Sequence, residues 1–182
     1  MKSSCHLMRL ARLGAGHRTW YNDALQNIMT LCYRKNWGVV RYIEVLALTS
    51  PRVSVKRNVS LATEYMTTGQ LGPDVLRGTR AALAHYEATG EIRGPKTAAF
   101  ARALAGDHDA VVLDVWMARA LDVDQKKFET KRVRHSAERR VRYAAHLLGW
   151  SPAETQAAVW SGTLQRAGRK VPLVQMLEEI NK

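Results

Sequence analysis

Acid is scarce in this chain. Its 16 Asp and Glu stand against 28 Lys and Arg, leaving a net charge of +12 and a pI near 10.2. A surface with that balance repels cationic ligands and attracts polyanions, nucleic acid first and an anionic membrane surface second. Cysteine is scarcer still: Cys5 and Cys32 are far apart and in no CxxC pattern. That excludes a disulfide scaffold and a four-cysteine metal cluster, and it predicts a reducing, cytoplasmic, nucleoid-associated setting. No run of about 18 apolar residues occurs, so no helix is expected to span a membrane. The six histidines fall in no metal-binding spacing, and nothing in the pattern calls for a metal or another cofactor.

What remains is long enough, at 182 residues, to bury a core without covalent or metal staples. The segment before Trp20 carries Lys2, Arg9, Arg12 and Arg18 and no acid; it reads as a flexible basic arm (1–19), in preference to an organellar targeting peptide, because it is not Ser-rich. From Trp20 the apolar residues recur at three- and four-residue spacing through Ala24, Ile28, Leu31 and Cys32, which predicts a helix. A second helix is expected over Trp37–Leu48 and a third from Pro51, capped by Ser50, to about Met66. Pro73-Asp74 is expected to open a fourth, and Pro95 a fifth that Gly106 ends. Residues 110–121 read as helical despite the strand-like Val111–Leu113. Further helices are expected from Ser136 to Gly149, from Ser151 with a Ser-Pro-Ala-Glu capping box, and over Pro172–Ile180. Nothing predicts a sheet, so the chain is expected to be all-α.

Residues 126–142 hold eight cations, Lys126, Lys127, Lys131, Arg132, Arg134, Arg139, Arg140 and Arg142, against Glu129 and Glu138. The density of charge makes Lys131, Arg132, Arg139 and Arg140 candidate phosphate contacts, although a solvated helix face would look the same.

The most informative stretch is Gly94-Pro95-Lys96-Thr97-Ala98-Ala99-Phe100, followed by Val111-Val112-Leu113-Asp114-Val115-Trp116. It resembles the helix-hairpin-helix DNA glycosylase superfamily, in particular its endonuclease III branch, over about residues 37–121. Lys96 and Asp114 stand 18 positions apart, matching the nucleophilic lysine and catalytic aspartate of that branch. Leu48-Thr49-Ser50-Pro51-Arg52-Val53 is similar to the family segment that enters DNA near the extruded base. The chain departs from the pattern in four places: Ile92-Arg93-Gly94 lacks the first hairpin glycine, Trp116 stands in place of a histidine, Thr49 in place of a DNA-filling glutamine, and the iron-sulfur loop is missing.

The resemblance implies a two-lobed helical bundle or barrel with a helix-hairpin-helix motif. The barrel would span 37–124, a second lobe would join 20–36 to 125–182, and DNA would lie between them. It implies a monomer acting on duplex DNA, without a cofactor, as a glycosylase with abasic-site lyase activity. Lys96 would attack the sugar of a flipped nucleotide, its pKa lowered by burial near Phe100, Val112 and Trp116, while Asp114 opposes the developing positive charge. Arg52, Lys56, Arg93, Gly94 and Thr97 would hold phosphate, and Thr49 and Trp116 would face the base. The residues by themselves leave plainer roles open. Lys96 also reads as a helix-start phosphate contact, Asp114 as a helix cap, and the protein as a non-catalytic DNA binder on the same scaffold or a basic RNA or protein adaptor.

Overall fold

A computed structural model describes residues 1–172, and among them all regular structure is helical. The order is α1 (Ser4–Leu13), α2 (Trp20–Lys35), α3 (Val39–Thr49), α4 (Val55–Thr68), α5 (Arg77–Thr89), α6 (Pro95–Leu104), α7 (Val115–Leu121), α8 (Lys131–Leu148) and α9 (Pro152–Arg166). Short 3-10 turns cover Ala15–His17 and Gln125–Glu129. The expected helix over Pro172–Ile180 lies outside the described residues.

Two apolar cores form. The first gathers Ile28 of α2, Tyr42 and Leu48 of α3, Leu83 of α5 and Leu104 of α6. The second gathers Leu7 of α1, Met117 and Leu121 of α7, Val141 of α8 and Val159 of α9. In these cores α2 packs with α3–α6, and α7 packs with α1, α8 and α9. The helix α9 serves both, giving Ala153 and Ala157 to the first core and Ala158 and Val159 to the second.

Residues 110–114 explain how one chain feeds two cores. They lie outside any helix, against the expectation from sequence, and lead into Asp114, whose backbone is extended (φ −98°, ψ −171°). Side chains alternate across an extended backbone, so Ala110 and Val112 enter the first core while Val111 and Leu113 enter the second. The chain thus runs along the seam between the cores and ends at Asp114.

Three helix starts also differ from expectation. Ser50 is spent on the end of α3, its hydroxyl donating to the Ala47 carbonyl (2.8 Å), and Arg52 turns the chain at φ 62°. Ser54 is therefore the cap of α4, accepting the Arg57 amide (3.2 Å). Asp74 pairs with Arg57 of α4, and α5 starts at Arg77 without a side-chain cap. In α8 the helix begins at Lys131, ahead of Ser136, because Val133 packs on the second core along with Ala137 and Val141. The Ser151 capping box is present in full, and Pro95 occupies the first turn of α6.

The N-terminal segment is not the free arm that its charge suggests. Leu7, Leu10 and Ala11 are buried, the Lys2 amide donates to the Leu121 carbonyl (2.7 Å), and Arg140 donates to the Lys2 carbonyl (3.2 Å). The seat of α1 on α9 is backbone against backbone. A Cβ at Gly162 would lie 2.0 Å from the Leu10 carbonyl oxygen, and one at Gly14 would lie 2.1 Å from that of Ala158. Gly162→Ala must push α1 away from α9, and overpacking of this kind costs about 1–3 kcal/mol. The urea midpoint should fall accordingly, with Leu10 and Met117 among the contacts loosened; an unchanged midpoint would show that α1 can shift at no cost.

Candidate functional site

A cavity of about 230 Å³ opens on the seam. That is below the roughly 300–1,000 Å³ of sites that take drug-sized ligands, so its scale suits a single small ring system. Its walls are Trp20 and Tyr21 from the start of α2, Ser50, Arg52 and Val53 from the turn after α3, Lys96 and Phe100 from α6, Val112 and Asp114 from the segment before α7, Val115 and Trp116 from α7, and Gln156, Ala157 and Trp160 from α9. Lys96 and Phe100 share it because they are four apart on one helix face, as are Gln156 and Trp160. The aromatic rings form a connected wall, with Trp20 5.9 Å from Trp160 and 5.3 Å from Tyr21, and Tyr21 6.4 Å from Phe100.

Asp114 stands at the edge of this wall with both carboxylate oxygens engaged. One accepts the amides of Trp116 (3.0 Å) and Met117 (2.9 Å), which caps α7; the other accepts the indole N–H of Trp160 (3.1 Å). Burial nevertheless raises its pKa above the ordinary carboxylate value, outweighing the Met117 amide, the Lys96 charge, the Trp116 amide and the Trp160 indole, all of which pull it down. Deeper in, Tyr21 donates to Gln156 Oε1 (2.7 Å) with both side chains buried. Burial first, and the Asp114 charge second, raise the Tyr21 pKa, so the phenol stays protonated and keeps that oxygen occupied. Gln156 is left with its Nε2 donors for anything that enters the cavity.

Of the residues singled out from sequence, Lys96, Asp114, Trp116 and Arg52 therefore meet at one place. Lys96 is half-buried and Arg52 exposed. Thr49 does not join them. It is completely buried, its hydroxyl held by the Val45 carbonyl (2.9 Å) and the Asn58 side chain (2.7 Å), and its neighbour Ser50 faces the cavity instead. Arg93 and Gly94 lie exposed in the connection between α5 and α6, with Gly94 at φ 93° and no side chain capping α6; Thr97 is half-buried on that helix, and Lys56 is exposed on α4. Lys131, Arg132 and Arg139 share one exposed face of α8 with His135 and Arg142, a basic ridge that lines no part of the cavity. Arg140 points the other way, to the N-terminal segment. Sequence reasoning missed Trp20, Tyr21, Gln156 and Trp160. Trp20 and Trp160 read as core aromatics and Tyr21 and Gln156 carried no signal, and only the juxtaposition of α2 with α9 makes the four of them walls.

Among the described residues no group of three His, Cys, Asp or Glu side chains is placed to hold a metal ion, Cys5 and Cys32 are free thiols, and no helix is long and apolar enough to cross a membrane.

Fold and site together define an all-helical protein whose two cores meet at an aromatic cavity bearing one lysine and one aspartate. Residues 11–167 match a family of unknown function (DUF7178), and the chain belongs to that family. No curated protein and no solved structure matches the chain.

Two variants separate the roles of Asp114. Asn keeps an acceptor for the α7 amides, whereas Ala removes it, so Asp114→Ala should be less stable than Asp114→Asn by about 0.5–2 kcal/mol. The pH dependence has a fixed sign. A carboxyl whose folded-state pKa is raised destabilises the fold when ionised, a cost fully present above that raised value and relieved as pH falls toward the unfolded value of about 3.9. The stability of the wild type relative to Asp114→Asn should therefore increase between pH 7.5 and 4.5, as read by melting at each pH. The opposite trend would mean that the capping amides and Lys96 outweigh burial.

Proposed function

We propose that the protein is a DNA glycosylase with associated abasic-site lyase activity, acting on a nucleotide turned out of the duplex. The observation that carries this reading is the convergence of Lys96 and Asp114, from separate elements, on one aromatic-walled cavity of single-ring scale. An extruded base gains stacking on rings such as Trp20, Phe100 and Trp160, and that gain offsets part of the unstacking cost. With its oxygen held by Tyr21, Gln156 can turn its Nε2 donors to a carbonyl on the edge of the base.

The chemistry balances within this set. Lys96 Nζ, after giving up a proton, bonds to the anomeric carbon; the bond from that carbon to the base breaks, and the base leaves with the electron pair and takes a proton. A carboxyl with raised proton affinity suits Asp114 to accept the proton that Lys96 sheds, and in its ionised form it opposes the positive charge on the sugar. Opening of the sugar ring gives an imine on Lys96, from which loss of a C2′ proton expels the 3′ phosphate. Arg52 at the cavity supplies a phosphate contact, and the exposed Arg93, Gly94 and α8 ridge are further phosphate contacts in this reading.

A second reading has its own observation. Asp114 is fully occupied as a cap and as a partner of Trp160, which is what a purely structural aspartate in a non-catalytic DNA-binding protein would also show.

Lys96→Gln separates the two. Duplexes carrying uracil, oxidised or alkylated bases or an abasic site, incubated with borohydride, should trap the wild-type protein covalently, while the variant binds the same DNA without trapping. Trapping that persists in the variant moves the nucleophile to another amine. Excision without trapping in either protein makes water the nucleophile and Asp114 the principal catalyst, whose conversion to Asn should then cost on the order of 10²–10⁴ in rate. Binding with no excision or nicking by either protein favours the non-catalytic reading.

A further inference from the structure

A second concavity, about 700 Å³ and more open, lies directly across Trp116 from the aromatic cavity. The indole lines both, and the Arg119 guanidinium rests 4.2 Å from its ring centre. Cations reach the groove from several elements, Lys2 from the segment before α1, Arg9 from α1, Arg119 from α7 and Arg166 from α9, against the single carboxylate of Asp122. Asp122 is already paired with Lys2 (3.5 Å). Among the described residues no ion pair to a carboxylate is made by Arg9, Arg119 or Arg166, whereas Arg142 on the α8 ridge and Arg18, Arg41, Arg57 and Arg102 each have one. Burial and then the charges of Arg166, Lys2 and Arg9 lower the pKa of His6, which places these cations close around one space. Three unpaired guanidiniums converging from three helices leave like charges uncompensated, an arrangement that an anion relieves, and concave walls concentrate their field.

We infer that this groove is a DNA-backbone site, taking the phosphates of the strand that runs on from the nucleotide held in the aromatic cavity. The inference rests on the glycosylase reading for what fills that cavity. Its own ground is the shared wall: a strand with one base on the cavity side of Trp116 brings its next phosphates to the side where Arg119, Arg9 and Arg166 wait. The α8 ridge is richer in charge but convex, and it borders neither concavity.

The double variant Arg9→Gln/Arg166→Gln tests this without touching the cavity. Binding to a fluorescein-labelled duplex with a central abasic analogue is followed by anisotropy across a series of KCl concentrations. Each phosphate contact contributes about 0.9 to the log–log slope, so the variant should bind more weakly and with a slope flatter by about two. Its melting temperature should match the wild type, since both side chains are exposed. An unchanged slope, with excision and trapping intact, overturns the groove alone. A flattened slope in a protein that neither excises nor traps supports the groove as a phosphate site and overturns the chemistry assigned to the cavity. Wild-type protein that binds RNA but no DNA duplex overturns both.

Discussion

One carboxylate ties the two halves of the molecule together. Asp114 ends the extended segment that threads the seam, starts α7 through two amides, and reaches α9 through the Trp160 indole. Every part of the site depends on that junction. The extended residues before Asp114 distribute their side chains alternately to the two cores, so the register of the seam and the position of the carboxylate are fixed by the same packing. Hydrogen bonds to an ionised group are stronger than neutral ones, yet withdrawing the group from water raises its proton affinity. Asp114 lives under both influences, and burial prevails.

The outcome is a cavity in which no element can be replaced without consequences for the others. The walls come from helices far apart in sequence: Trp20 and Tyr21 open α2, Phe100 closes the first turns of α6, and Gln156 and Trp160 lie mid-way along α9. Among the described helices α9 gives buried side chains to both cores, so it aligns the walls. Buried polar groups there are paired with one another, Tyr21 with Gln156 and Asp114 with Trp160, which fixes their orientation before any ligand arrives.

Much of this was legible in the residues themselves. Helical periodicity gave α2 and α3, Pro95 gave α6, the Ser151 box gave α9, and the Lys96 and Asp114 spacing pointed to the two groups that do share a cavity. Misreadings have physical causes. Ser50 before Pro51 looks like a cap, but a hydroxyl can serve the end of one helix as readily as the start of the next, and here it serves α3. Val111–Leu113 resists assignment because a continuous apolar run fits any element buried on both sides, and only the two cores reveal its period of two. Thr49 lies one residue from the cavity, yet the turn of α3 sends it inward to Asn58. The basic N-terminus carried no visible mark of burial, because the glycines that admit it, Gly14 and Gly162, are distant in sequence and mean nothing until paired.

That glycine contact makes the molecule a gauge. Where α1 and α9 touch through their backbones at Gly14 and Gly162, no long side chain is there to compress or rotate, and that contact resists sliding of the helix that carries Gln156 and Trp160 past the one that carries His6 and Arg9. The separation between cavity and groove is therefore set by main chain, not by adaptable side chains. A ligand that occupies both must match a fixed interval, so its stiffness and curvature, as well as the chemistry of its ends, decide how well it fits.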